Sequence, residues 1–133
     1  MGYKMRSSIS GLLGINEKFS TPDVPVFEKN LSDSWGYADM DRTITINSKL
    51  NEKQKADAVE HEREHVLQMR KGEAWYDQNN IYHKPKNNEA IQVYKRVGEG
   101  MIVKGMKMEL GDPNNPIEKP VYEKTKTYPT KLS

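Results

Sequence analysis

The segment from residue 51 to residue 71 constrains the fold of this chain most strongly, because it has the composition of one long helix. Ala, Glu, Lys, Gln, Leu, Met and Arg dominate it, and it contains neither proline nor glycine. Asn51 can cap the first turn, Gln54 stands where the second partner of a capping box is expected, and Gly72 is placed to end the helix. The sequence therefore predicts a long helix over this segment.

The residues His61, Glu62 and His65 form the pattern His-Glu-x-x-His in the middle of this predicted helix. Residues four positions apart lie on one face of a helix, so both imidazoles can bind the same metal ion. The pattern is typical of zinc hydrolases, in which the two histidines are ligands and the glutamate, here Glu62, is the general base. The alternative is a charged, solvent-exposed helix face whose histidines bind nothing.

The same five residues also fit the inverted pattern His-x-x-Glu-His. In that interpretation Glu64 would be the base and Glu62 would have no catalytic role. Local spacing does not distinguish the two interpretations.

A third protein ligand is expected, because a catalytic zinc site usually has three and leaves the fourth position to water. Four residues after the motif could supply it: Glu73, Asp77, His83 and Glu89. We favour Glu89, because it begins a predicted second helix that would hold its carboxylate on a rigid element. The alternative role for Glu89 is to stabilise that helix through its dipole.

Strands are predicted on the N-terminal side of the long helix. Residues 24–28 alternate in character, and Pro25 predicts that this strand lies at a sheet edge. Residues 43–47 are largely β-branched and predict the clearest strand. A tight turn at residues 40–42 would pair that strand with residues 36–39 as a hairpin.

Beyond the long helix, residues 81–85 are predicted to be extended, because Pro85 disfavours helix before it. The second helix is predicted to start at residue 87 or 88 and to run to Val97. Its apolar residues recur at spacings of three and four: Ala90, Val93, Tyr94 and Val97.

The sequence predicts an α+β fold in which a small antiparallel or mixed sheet packs on the long helix and on the second helix. We place this domain at residues 21–110. Residues 1–20 are expected to form an irregular N-terminal arm. Residues 111–133, which contain four prolines, are expected to form an extended tail.

Composition excludes several classes of protein. The 133 residues suit one domain, and the absence of cysteine excludes disulfides, thiol catalysis and cysteine-bound zinc. No segment has the length and apolarity of a membrane span or of a signal peptide, which predicts a cytoplasmic or virion-associated protein. The net charge of +2, without an aromatic-interleaved basic segment, disfavours nucleic-acid binding.

The order of these features resembles that of the small zincin-type metallopeptidases, and most that of the gluzincin branch that includes ImmA/IrrE-like domains. The resemblance covers residues 23–97. It rests on the hairpin with Gly-Tyr-Ala-Asp, on Thr-Ile-Thr-Ile-Asn-Ser, on the motif helix and on Asn-Glu-Ala at residues 88–90. By this resemblance His61, His65 and Glu89 bind zinc.

The resemblance also implies that Glu62, and not Glu64, is the base. Many relatives have small or apolar residues inside the motif, whereas this chain has Arg63 and Glu64, so its helix face is expected to be more hydrated. A second residue that stabilises the transition state cannot be matched; the candidates are Tyr76, Tyr82 and His83.

The expected function is therefore that of a zinc-dependent metallopeptidase that hydrolyses an extended protein or peptide substrate. The alternative is a zincin-like structural or regulatory subunit, active or inactive, of a larger assembly such as a phage particle. The polar arm and the Pro-rich tail favour that alternative, because partner chains would be needed to order them.

Overall fold

The computed structural model describes residues 14–32, 34–86 and 90–128. These residues divide into two compact units, 14–63 and 64–128. The fold is α+β, as the sequence predicts, with two helices, one mixed sheet and one antiparallel sheet among the described residues.

The first unit contains a three-stranded sheet, formed by β1 (Val26–Lys29), β2 (Gly36–Ala38) and β3 (Ile44–Asn47). The order is β1-β3-β2; β1 is parallel to β3, and β2 is antiparallel to it. Ile44 and Ile46 are fully buried, which explains the preference of this segment for the central strand. The predicted edge strand and the predicted hairpin are both confirmed.

Part of the predicted N-terminal arm belongs to this unit. Ile15 forms an isolated antiparallel bridge with Phe27 of β1, and the backbone N–H of Asn16 donates to the carbonyl of Val26 at 2.7 Å. Residues 1–13 of the arm lie outside the described residues.

The helix α1 (Glu52–Arg70) follows the first sheet, and its ends have the structure that the sequence predicts. The backbone N–H of Gln54 donates to Asn51 Oδ1 at 2.8 Å, and the N–H of Asn51 donates to Gln54 Oε1 at 3.0 Å. This reciprocal pair is a capping box. Gly72 follows the helix with a φ of +70°, a conformation that glycine adopts without strain.

The second unit contains a five-stranded antiparallel meander and the helix α2 (Glu118–Thr125). The strands, in spatial and chain order, are β4 (Ala74–Tyr76), β5 (Asn80–His83), β6 (Gln92–Val97), β7 (Gly100–Val103) and β8 (Met106–Glu109). The core of this unit joins the sheet to the segment before α2. It consists of Ala74, Ile81, Met101 and Ile117, with Tyr76, Tyr94, Val103 and Leu110 packed against them.

Two predictions for the second unit were wrong. Residues 92–97 form the strand β6 and not the end of a second helix, because they pair with β5 on one side and β7 on the other. A two-residue turn at Lys104 and Gly105, both with positive φ, then joins β7 to β8. The glycines in this region therefore belong to hairpins.

The second wrong prediction concerns the tail from residue 111, which was expected to be extended. It contains α2, whose Val121 and Tyr122 are buried, and the Tyr122 hydroxyl donates to the carbonyl of Gly111 at 2.8 Å. Pro120 is compatible with this helix because it lies in the first turn, where the backbone N–H has no intrahelical partner.

Neither helix of the described chain has the length and apolar character that crossing a lipid bilayer requires.

Candidate metal centre

The helix α1 has a buried face even though charged residues dominate its sequence. The buried positions are Ala58, Val59, His61, Glu62, His65, Val66 and Gln68. His61, Glu62 and His65 of the motif are each only 8% exposed. The interpretation of the motif as a solvent-exposed helix face is therefore wrong.

His61 and His65 form a candidate metal-binding group with Glu118, which lies in the first turn of α2. One ligand atom from each residue lies within 4.8 Å of the other two. Among residues 14–32, 34–86 and 90–128 this is the one group of three or more His, Cys, Asp or Glu side chains with such spacing. The third member of the group, its one acidic residue, thus comes from a helix that the sequence did not predict.

His65 makes hydrogen bonds through both ring nitrogens. Its Nε2 lies 2.9 Å from Glu118 Oε1, and its Nδ1 lies 2.8 Å from Gln68 Oε1. The other end of the Gln68 amide is fixed, because its Nε2 donates to the carbonyl of Ile117 at 3.1 Å. A carbonyl can only accept, so the amide oxygen of Gln68 must face His65, and Nδ1 of His65 must carry a hydrogen.

This tautomer leaves Nε2 of His65 as an acceptor that faces a carboxylate oxygen of Glu118. Two acceptors at 2.9 Å repel each other unless a proton or a cation lies between them. Two imidazoles and one glutamate are also the ligand set of one class of catalytic zinc sites. The residues present therefore fit a zinc ion, although the same ligands suit other transition metals.

The two glutamates inside the motif have different surroundings. Glu64 Oε1 accepts from Lys124 Nζ of α2 at 2.7 Å, in an ion pair whose carboxylate side is 17% exposed. Glu62 is more deeply buried, immediately after His61 on the face that carries the histidines. The ion pair holds the Glu64 carboxylate toward a lysine of α2.

Arg63, the other charged residue inside the motif, is also engaged. Its guanidinium donates from Nη2 to the backbone carbonyl of Phe19. Arg63 and Glu64 therefore anchor α1 to neighbouring segments within their respective units. His61, Glu62 and His65 are buried, whereas Arg63 and Glu64 are partly exposed.

The predicted third ligand, Glu89, lies outside the described residues, as do Asn87 and Asn88. The helix that was expected to carry it is absent over the described residues 90–97, where β6 forms instead. The structure therefore offers Glu118 as the partner of the two histidines and does not test Glu89.

The other predicted candidates have roles in the second sheet. Asp77 Oδ2 accepts from the Tyr82 hydroxyl at 2.7 Å, and Asp77 Oδ1 accepts from the backbone N–H groups of Asn79 and Asn80. These bonds, above all the one from Tyr82, lower the pKa of Asp77, and the same contact raises the pKa of Tyr82. Both side chains thus stabilise the β4–β5 hairpin.

His83 is a buried residue of β5, opposite Ala74 of β4. Burial lowers its pKa, and the negative charge of Glu73 opposes this effect. Neither His83, Glu73 nor Asp77 belongs to the group of possible ligands found in the described part of the chain.

Sequence reasoning missed Glu118 and Gln68. The available signal for Glu118 was the apolar spacing of Ile117, Val121 and Tyr122, which indicates a short amphipathic helix despite Pro120. The signal for Gln68 was its position three residues after His65, on the same helix face.

A comparison with protein-family models, with curated proteins and with solved structures finds no match to this chain.

Proposed function

We propose that this protein is a zinc-dependent metallopeptidase in which His61, His65 and Glu118 hold the metal and Glu62 is the general base. The observation that carries the proposal is the buried His-His-Glu group, whose ligand atoms lie within 4.8 Å of one another, beside a buried glutamate. Glu118 replaces Glu89 in the proposed ligand set because it contacts His65 directly.

A zinc ion held by His61, His65 and Glu118 would lower the pKa of a water molecule and polarise the carbonyl of the scissile bond. A carboxylate oxygen of Glu62 accepts the proton of that water as its oxygen attacks the carbonyl carbon. Glu62 then donates the proton to the nitrogen of the leaving amine as the carbon–nitrogen bond breaks. Glu62 is thus unchanged at the end of the cycle, and one peptide bond and one water molecule give a carboxylic acid and an amine, which become a carboxylate and an ammonium group at neutral pH.

The choice of Glu62 over Glu64 has structural support. Glu64 is paired with Lys124, and using it as a base would require the ion pair to open or its carboxylate to act while bound to a cation. A nearby positive charge makes a carboxylate a weaker base. Glu62 has the position next to His61 that the His-Glu-x-x-His pattern requires.

Glu62→Gln tests this assignment, with Glu60→Gln as the matched control, because Glu60 is exposed on the same helix. We expect wild type and both variants to bind about one zinc ion per chain, measured by elemental mass spectrometry. Glu62→Gln should slow the hydrolysis of a mixture of unstructured peptides by at least about 100-fold, and Glu60→Gln should not. Hydrolysis by Glu62→Gln at the wild-type rate would contradict the assignment. Zinc binding without hydrolysis by wild type would instead favour the structural subunit.

A further inference from the structure

The buried side chain of Gln68 has no role in the chemistry proposed above. It contacts one proposed ligand, His65, and the residue next to another, Glu118. It is 8% exposed, and its amide makes one hydrogen bond at each end. One bond joins it to the imidazole of His65, and the other to the backbone carbonyl of Ile117, the residue directly before Glu118.

We propose that Gln68 is a positioning residue that aligns His65 and Glu118 for metal binding. This inference rests on the proposed metal site and adds to it the means by which the ligands are held. Its effect on His65 is direct, and its effect on Glu118 acts through the backbone of Ile117.

The direction of the amide follows from elementary hydrogen-bond chemistry. The carbonyl of Ile117 accepts at 3.1 Å and cannot donate, so it selects the nitrogen end of the Gln68 amide. The oxygen end then lies 2.8 Å from Nδ1 of His65 and requires a hydrogen there. A backbone carbonyl therefore fixes the tautomer of His65, and the lone pair of Nε2 points toward Glu118, where the metal would bind.

The same contacts fix the ring orientation of His65. An imidazole held at Nδ1 cannot turn over without losing a buried hydrogen bond, which costs free energy when the partner stays unsatisfied. Metal-binding histidines commonly depend on such a partner, and its removal typically weakens metal binding by about 10–100-fold. Glutamine suits this position because it offers an acceptor to the ring and a donor to the carbonyl at the same time.

Two substitutions of Gln68 distinguish the effects of its two hydrogen bonds. Gln68→Met retains most of the side-chain volume and removes both bonds. Gln68→Glu retains an acceptor for Nδ1 of His65 and loses the donor to Ile117. Gln92→Met is the matched control, because Gln92 is exposed on β6 and its side-chain Oε1 accepts from the Tyr94 hydroxyl, within the second sheet.

The first measurement is zinc affinity, obtained by competition with a chromophoric chelator. We expect Gln68→Met to weaken zinc binding by about 10–100-fold and Gln92→Met to leave it unchanged. The zinc affinity of Gln68→Glu should be closer to that of wild type than the affinity of Gln68→Met is. Far-UV circular dichroism verifies that each variant is folded.

The second measurement does not need the metal. In metal-free wild type we expect the Nδ1 proton of His65 to give a slowly exchanging NMR resonance, because it is buried and hydrogen-bonded. This resonance should persist in Gln68→Glu and disappear in Gln68→Met. A resonance that persists in Gln68→Met, or a Gln68→Met affinity equal to that of Gln92→Met, would overturn the proposal. If wild type binds no zinc, the metal site itself fails, whereas the resonance still tests whether Gln68 sets the tautomer.

Discussion

One contact is the reason that we propose Glu118 as the third ligand. Glu118 is 53 residues after His65 in the chain, yet its carboxylate oxygen lies 2.9 Å from Nε2 of that histidine. Such a contact depends on how the segment before α2 returns to α1 within the second unit. Because Glu118 lies outside the His-Glu-x-x-His motif, it can be replaced without changing the motif. Its proposed role as a ligand can therefore be tested directly.

Glu118→Gln should weaken zinc binding by at least about 100-fold, because it removes a direct ligand and not only its supporting partner. Glu123→Gln on the exposed side of the same helix is the control and should bind as wild type does. The competing ligand is tested with Glu89→Gln. Full affinity in Glu118→Gln together with a loss in Glu89→Gln would transfer the role to Glu89.

His83 provides a second prediction at this scale. It is 8% exposed, and its Nδ1 is a buried atom without a hydrogen-bond partner within the described residues. Burial lowers its pKa below the ordinary value of 6.5, so the unfolded chain binds a proton that the folded chain does not. The stability linked to His83 is complete above about pH 6.5 and decreases as the pH falls toward the folded-state pKa.

Chemical denaturation of wild type and His83→Gln at several pH values between 7.5 and 5, with EDTA present, measures this effect. Below pH 6.5 wild type should lose up to about 1.4 kcal/mol of unfolding free energy per pH unit more than the variant does. His61 and His65 are present in both proteins, and their contributions cancel in the difference. Parallel curves for the two proteins would show that His83 is not the group responsible.

Among the elements, β6 shows why apolar spacing can mislead. Val93 and Val97 are four residues apart, as on a helix, but they are also on one face of a strand because both numbers are odd. Both side chains are exposed, at 57% and 39%, whereas Tyr94 packs against the core on the other face. Val93, Tyr94 and Val97, which suggested one apolar stripe, therefore lie on two faces of a sheet.

The short helix α2 depends on packing more than on intrinsic helix propensity. Its N-cap residue, Ile117, makes no capping hydrogen bond through its side chain, and eight residues are too few for an independent helix in water. Its attachments are the buried Val121 and Tyr122, the ion pair of Lys124 and the contact of Glu118 with His65. The proposed metal site should therefore be sensitive to the packing of this helix.

Val121→Ala tests that dependence. Val121 is 3% exposed, so the loss of two methyl groups should lower the free energy of unfolding by about 2 kcal/mol. Zinc binding should weaken as well, because Glu118 is on the same helix. Glu123→Ala, at an exposed position, should change stability by less than about 0.5 kcal/mol. Unchanged zinc affinity in a destabilised Val121→Ala protein would argue that Glu118 is not a ligand.

At the scale of the whole molecule, the proposed metal site exists only in the folded chain, so metal binding would be linked to stability. Its ligands are separated by up to 57 positions in sequence, from His61 to Glu118, and the unfolded chain does not bring them together. Free zinc at about 100 times its dissociation constant should therefore raise the free energy of unfolding by about 2.7 kcal/mol.

Denaturation of wild type with zinc or with EDTA measures this increase, and His61→Ala should show little of it. Glu60→Gln, which changes an exposed charge on the same helix, should show the full increase. An equal increase in His61→Ala would indicate that zinc binds elsewhere in the chain.

The sequence alone determined the features that depend on neighbouring residues. Helix-forming composition and a capping box define α1, and the helical repeat brings His61 and His65 to the same face. β-Branched residues and a tight turn define the hairpin of β2 and β3. The helix and the hairpin follow from local backbone preferences, which the sequence shows directly.

Only the tertiary structure decided the partner of the two histidines and the residue that holds His65 in place. Glu118 contacts His65 because the core around Ile117 fixes the start of α2, and Gln68 reaches the Ile117 carbonyl for the same reason. Contacts between residues far apart in sequence depend on how whole elements pack, and local spacing carries no information about that packing.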